Sequence, residues 1–171
     1  YMCRAGHKRI AILAAAREDR SIGALRLKGY LQALAQHGLP VLEELIFYAD
    51  PDVDAYSIER GYQGMKEVLE SGTACTAIYG ISDMAAIGIC RALKEAGKEI
   101  PADYSVAGFD GLEIASYYIP TITTIRQPVE EMGRDVADIL FDTIENEGLV
   151  QHRIFEGELL IRESSGSPGA V

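Results

Sequence analysis

The stretch Arg9-Ile10-Ala11-Ile12-Leu13-Ala14 is a β-rich apolar run, and residues 21–37, with apolar residues at helical spacing, follow it after a short polar break. The same alternation recurs as a run at 44–48 with a helical pattern at 55–70, and a run at 76–79 with a helical pattern at 83–96. A fourth run occupies 105–109. Strands separated by helices are joined by right-handed crossovers, which lay the strands parallel in one sheet. Ile10-Ala11-Ile12-Leu13 and Ala77-Ile78-Tyr79 are apolar without alternation, as strands covered by helices on both faces must be. The expected fold class is therefore α/β, a doubly wound parallel sheet.

Punctuation along the chain agrees. Gly38 and Pro40 stop the first helix, and Gly97 with Pro101 stops the third. Beyond Phe109 the rhythm changes. Residues 110–118 read as a loop or short helix, 121–125 as a short strand, and 128–146 as a long helix opened by Pro128. Val129, Met132, Val136, Ile139, Leu140 and Ile144 form an apolar stripe along that helix with no evident partner in the chain. Residues 152–162 read as a late strand, and the Ser- and Gly-rich 164–171 as a frayed tail.

The 171 residues suffice for one well-buried domain, and 48% hydrophobic with 25% charged residues is the balance of a soluble globular protein. Sixteen Lys and Arg against 26 Asp and Glu give a net charge of −10, which repels a phosphate backbone; no DNA binding is expected of this chain alone. No apolar run reaches membrane-spanning length, and the first residues lack an export-signal pattern, so a cytoplasmic protein is expected. Cys3, Cys75 and Cys90 are odd in number and far apart, and read as reduced small hydrophobes.

In an open parallel sheet, ligands bind beyond the carboxyl ends of the strands. The loops there are 17–21, 48–56, 80–83 and 110–113, and Arg26 lies one turn into the first helix, near enough to reach back. Together they offer a guanidinium, carboxylates, a hydroxyl and aromatic rings. Charged groups of this kind hydrogen-bond vicinal hydroxyls, and a ring covers the apolar face of a sugar. Plainer readings stand beside these. Ser82 or Asp83 caps the following helix, Arg26 is a solvated helix residue, Asp110 forms a turn with Gly111, and Tyr56 is packing. Dinucleotide, P-loop and serine-hydrolase motifs are absent, and His7, His37 and His152 share no metal-ligand spacing, so neither an enzyme, a metal nor a cofactor is expected.

Five fragments carry a family likeness. They are Gly6-His7-Lys8-Arg9-Ile10-Ala11, Arg26-Leu27-Lys28-Gly29-Tyr30, Ser82-Asp83-Met84-Ala85-Ala86-Ile87-Gly88, residues 100–110 ending in Gly108-Phe109-Asp110, and Thr123-Thr124-Ile125-Arg126-Gln127-Pro128. In this order and spacing they resemble the lactose-repressor/galactose-repressor family of transcriptional regulators, over about residues 4 to 165. The resemblance implies a periplasmic-binding-protein-like lobe. On this reading residues 1–126 are the C-terminal lobe of an effector-binding domain, 127–150 cross to pack on a first lobe missing here, 151–163 return, and 164–171 form a flexible tail. It also implies a small-molecule effector, a homodimer, and operator DNA contacted only through an absent N-terminal domain.

By the same resemblance Arg26 and Asp110 match residues that hydrogen-bond effector hydroxyls, and Tyr56 falls where an aromatic ring stacks on the ligand. Ser82 stands where Asn is common, Asp83 keeps the family Asp, and Gln127 completes the candidate ligand-binding set. Gly111 replaces a frequent second acidic residue, which leaves the effector's identity open. The function implied is sensing of a sugar or related polar metabolite, in a regulator without its DNA-binding domain. The alternative is a periplasmic-type sugar-binding protein, which shares the fold.

Overall fold

The computed structural model describes residues 1–145 and 152–169. Four strands form a parallel sheet in the order β2-β1-β3-β4: β1 (Ile10–Ala14), β2 (Ile46–Tyr48), β3 (Ala77–Gly80) and β4 (Ser105–Ala107). Ile12 is in register with Ile46 on one side and Tyr79 on the other, so β1 is central and all five of its residues are buried. Its side chains divide between two cores. Ile10, Ile12 and Ala14 pack with Tyr30 and Leu34 of helix α1 (Ile22–Gln36). Ala11 and Leu13 face Met65, Val68, Ile89 and Leu93 from α2 (Ile58–Glu70) and α3 (Asp83–Glu95). Helices therefore cover both faces, and the unbroken apolar runs follow from the period-two geometry of a strand with two buried sides.

The helix ends obey local chemistry. Gly38 (φ 64°) and Gly97 (φ 70°) take the left-handed conformation. There Leu39 N–H reaches back to Leu34 O at 2.9 Å and Lys98 N–H to Leu93 O at 2.9 Å, closing two Schellman caps. His37 Nδ1 donates to Ala33 O at 2.9 Å at the first of these ends. Asp19 caps the start of α1, accepting from Ala24 N–H at 2.8 Å and from the Ser21 hydroxyl at 2.7 Å.

Past β4 the chain forms a short helix α4 (Ile114–Tyr117), strand β5 (Thr124–Arg126), helix α5 (Val129–Glu145) and strand β6 (Glu158–Leu160), the last antiparallel to β5. Gly108 N–H donates to Thr123 O at 2.8 Å and Asp110 N–H to Ile125 O at 3.1 Å, which lays β5 beside the continuation of β4. The late strand expected over 152–162 is thus only three residues long. Residues 146–151, which include the end of the expected crossing segment, and residues 170–171 lie outside the described residues.

The expected frayed tail is corrected at its start, because Ser164 is fully buried. Val106 N–H donates to Ser164 O at 2.7 Å, the Ser164 hydroxyl donates to Val106 O at 2.7 Å and accepts from Thr123 N–H at 2.8 Å. The residue wedges between β4 and the chain entering β5 and satisfies backbone groups that no strand reaches. His7, also buried, donates from Nε2 to Gly166 O at 2.9 Å and accepts from the Thr76 hydroxyl at 2.8 Å, and burial lowers its pKa.

Helices α2 and α3 touch backbone to backbone. A Cβ on Gly88 would lie 2.0 Å from Ile58 O, and one on Gly61 2.0 Å from Ala85 O. Gly29, mid-way along α1, meets nothing within 4 Å. Gly88→Ala is expected to destabilise by about 2–3 kcal/mol, since helix backbone must move. Gly29→Ala should instead stabilise by about 0.5–1 kcal/mol by restricting the unfolded chain. Urea unfolding followed by circular dichroism checks both; equal midpoints for the two variants would contradict the crossing.

Candidate functional site

Arg26 sits in the second turn of α1, beyond the carboxyl ends of β1 and β3. Its Nη2 donates to Asp110 Oδ1 at 2.7 Å and its Nη1 donates to the Ile81 carbonyl. The guanidinium carbon lies 4.4 Å from the centroid of the Phe109 ring and 5.5 Å from that of Tyr56. Only 10% of the Arg26 side chain and 23% of the Asp110 side chain are exposed, so the pair is largely desolvated. Removing one member would strand the other charge away from water.

Asp110 is held from several directions. Gln127 Nε2 donates to the same Oδ1 at 2.9 Å, and Gln127 N–H donates to Asp110 O at 3.3 Å. Its φ of 121° is costly for a residue with a Cβ, and strain of this kind persists only where neighbours enforce it, commonly at functional sites. Gly111 completes the turn at φ 76°, where a Cβ would meet Arg126 Cα at 2.4 Å. The position that resembles a second acidic residue therefore passes hard against β5.

Ser82 and Asp83 take the capping and supporting parts. Ser82 accepts from Ala85 N–H at 2.9 Å as the N-cap of α3 and donates to Tyr56 O at 2.7 Å. Asp83 is fully buried and accepts from Leu112 N–H at 2.7 Å. Burial pushes its carboxyl pKa up, while the Thr124 hydroxyl and Leu112 N–H pull it back. These two residues hold the loops that carry Tyr56 and Asp110.

A groove of about 830 Å³ opens here, lined by Arg26, Asp110 and Gln127 together with Tyr79, Phe109 and Ile125, among others. Tyr56, Ser82 and Asp83 are not in its lining. Of the six candidates, the structure brings Arg26, Asp110 and Gln127 together, sets Tyr56 beside the guanidinium, and places Ser82 and Asp83 beneath. Phe109 was missed, although its place next to Asp110 was a usable signal. The Ile81 carbonyl could not be found from residue type at all. Nor could Arg60, which pairs with Glu67 two turns along α2 at 2.6 Å and reaches from that helix to Tyr48 O at 3.1 Å, fixing the end of β2.

Asp110 can accept through its second oxygen, Gln127 can accept through its carbonyl, and Phe109 and Tyr79 offer rings. That set suits a molecule with several hydroxyls and an apolar face. Among the described residues no group of His, Cys, Asp or Glu is placed to hold a metal ion. The thiols of Cys75 and Cys90 are buried and pushed up to about 11 and about 12, which leaves them inert as nucleophiles. No helix among the described residues is long and apolar enough to cross a membrane.

A family described as the periplasmic binding protein-like domain matches residues 1–165. The chain belongs to this family. Among curated relatives it is similar to the HTH-type transcriptional regulator CelR of Thermobifida fusca, 34% identical over 93% of this chain and 45% of CelR. The HTH-type transcriptional repressor CytR of Escherichia coli is 32% identical over 96% of this chain and 47% of CytR. The chain thus spans less than half the length of either. Among solved structures, a CelR–cellobiose complex superposes with a TM-score of 0.85 at 33% identity, over 96% of this chain and 49% of that one. The lac repressor dimer bound to operator and the anti-inducer ONPF superposes with a TM-score of 0.84 at 28% identity, over 96% and 55%. This periplasmic-binding-protein-like domain has transcriptional regulators of the LacI family as its homologues, and it corresponds to their effector-binding part.

Because Ser82 caps α3, Ser82→Ala should cost about 1–2 kcal/mol of stability through the α3 N-terminus. Chemical denaturation checks this. An unchanged midpoint with altered ligand affinity would reverse the assignment.

Proposed function

We propose that this domain is half of an effector cleft in a LacI-type transcriptional regulator, and that the effector is an uncharged polyhydroxylated molecule such as a sugar. The Arg26–Asp110–Gln127 constellation carries the reading, because it sets charged hydrogen-bonding groups at the strand ends of a fold shared with such regulators. Ligand-binding roles go to Arg26, Asp110 and Gln127, a flanking role to Tyr56, and supporting roles to Ser82 and Asp83. Binding, without catalysis, is the assigned activity. DNA contact falls to a part of the protein outside this chain, consistent with the net charge of −10. The relatives, which are regulators, favour this over an exported sugar-binding protein and support a cytoplasmic place of action.

Helix α5 supports a partner lobe. None of its described residues is buried, and Val129, Val136, Leu140, Phe141 and Ile144 are all exposed. An apolar face of this extent, on a chain that spans less than half the length of CelR or CytR, fits packing on a second lobe across the cleft.

Calorimetry of the two-lobed protein against a panel of neutral mono- and disaccharides should find a binder. Arg26→Ala and Asp110→Ala should each weaken it by about 1.5–3 kcal/mol, the worth of a charged hydrogen bond. Unchanged affinity in both variants, or no binder in a panel extended to nucleosides, would remove the assignment.

A two-fold dimer is also part of the proposal. Ile114, Tyr117 (74% exposed) and Ile119 (84% exposed) form an apolar patch at α4, and α2 is the other candidate surface. Light scattering at tens of micromolar should show dimers of the two-lobed protein, and Tyr117→Asp with Ile119→Lys should give monomers. A monomeric parent protein would end this part of the proposal.

A further inference from the structure

The two faces of the sheet are covered unequally. Five strands lie side by side, because β5 runs next to β4 through the Ala107–Thr123 and Asp110–Arg126 bridges, and five strands span about 19 Å. Two helices packed about 8–10 Å apart cover such a width, and α2 with α3 does so on the face of Ala11 and Leu13. On the face of Ile10, Ile12 and Ala14 the described residues place one helix, α1. The uncovered half is the groove, with Tyr79, Ala107 and Ile125 on its sheet side and Leu25, Gly29 and Ala33 on its α1 side. Leu25 is 67% exposed there.

This groove is much longer than its polar end. Along α1 it reaches from Ile22 to Leu34, about 18 Å of helix, while Arg26, Asp110 and Gln127 gather at the carboxyl edge of the sheet. Toward the amino edge two lining hydroxyls are already committed: Tyr30 donates to Ile10 O at 2.8 Å, and Thr123 pairs with Ser165 at 2.6 Å. A polyhydroxylated molecule finds few partners there, and exposed apolar surface of this extent fits an apolar cover.

The first residues of the chain point to that cover. Ala5 N–H donates to Tyr1 O at 2.9 Å, Gly6 N–H to Cys3 O at 3.1 Å and His7 N–H to Met2 O at 3.1 Å. The last two are the paired bonds of a Schellman motif, closed on Gly6 at φ 104°, so residues 1–5 form a final helical turn. A single turn is not stable by itself and forms as the end of a longer helix. Tyr1, Met2 and Cys3 line the amino-edge end of the groove, where a helix traced back from the cap enters it.

We propose that the apolar length of the groove seats a helix of about 12 residues that leads into Tyr1 and ends at the Gly6 cap, running parallel to α1 from the carboxyl edge of the sheet to its amino edge. A protein as long as CelR or CytR, of which this chain spans less than half, has the residues to supply it. Gly29 and Ala33 let its backbone approach α1, and Tyr79 and Ala107 take its apolar face. Only the end bearing Arg26, Asp110 and Gln127 is left to a ligand, so an effector has a fraction of the 830 Å³. The seat does not depend on what that end binds.

Thiol labelling of the two-lobed protein without sugar tests this, in a background with Cys3→Ser and no other accessible thiol. Leu25→Cys, on the groove side of α1, should react about a hundredfold more slowly than Ala35→Cys, an exposed position outside the groove, at every protein concentration. Replacing the helix residues ahead of Tyr1 by a Gly-Ser segment of equal length should restore rapid labelling at Leu25→Cys. Equal rates at the two positions overturn the proposal. So does protection that grows with concentration, which makes a second copy the cover, and protection that survives the Gly-Ser replacement, which makes another part of the protein the cover. If the replaced protein fails to fold, Gly29→Phe reads the same contact, because Gly29 meets nothing within 4 Å in this structure. It should lower the thermal midpoint of the two-lobed protein by about 5 °C, against about 1 °C or less for Ala35→Phe. Equal midpoints in these two variants overturn the proposal as well.

Discussion

The contact between the Arg26 guanidinium and the Asp110 carboxylate joins the first helix of the domain to the turn after its fourth strand, across 84 residues of sequence. A charge so nearly removed from water is tolerable only when its partner and surrounding hydrogen bonds are fixed in advance. Much of the local structure does this fixing. Phe109 lies against the guanidinium, the Ile81 carbonyl takes a second donor, and Asp83, buried below, holds Leu112 and with it the far side of the Asp110 turn. Ser82, capping α3, ties down Tyr56 on the opposite flank.

The lower layer is as unforgiving as the upper one. A Cβ at Gly108 would come within 2.4 Å of Asp83 Oδ1, and one at Gly111 within 2.4 Å of Arg126 Cα. The Gly-Phe-Asp-Gly segment can therefore follow its path only because both glycines bring backbone into contact with neighbours. Asp110 between them has a side chain in a conformation better suited to glycine, which is the local cost of presenting a carboxylate there.

Sequence reading reached the parts of this arrangement that depend on local pattern. The apolar run of β1, the left-handed glycines at positions 38 and 97 and the amphipathic α5 each follow from a rule that operates within a few residues. Arg26 and Asp110 emerged because they carry charge at strand ends, and Gln127 because of the family resemblance. What escaped was long-range and polar. Ser164 is a short hydroxyl residue in a tail rich in Ser and Gly, and nothing near it in sequence says that it completes β4. His7 looks like a residue before a strand until Gly166 is seen beside it. Asp83 reads as a helix cap or a ligand, and its burial depends on where the turn at 110–112 folds. Local periodicity cannot encode any of these, because each is satisfied by a group more than twenty residues away.

The position of the site follows from the ladder itself. Strand β3 ends at Gly80, and the next carbonyl, that of Ile81, has passed beyond the strands that would have supplied it with a donor. A buried carbonyl in that place needs a partner from elsewhere. Arg26 provides one from the overlying helix, and a guanidinium has donors left over, of which Asp110 takes the next. The carboxylate is thereby fixed at the strand edge with one oxygen committed to the protein. Its second oxygen remains available at the groove, so the requirement to satisfy a sheet that stops produces an oriented acceptor where a ligand can reach it.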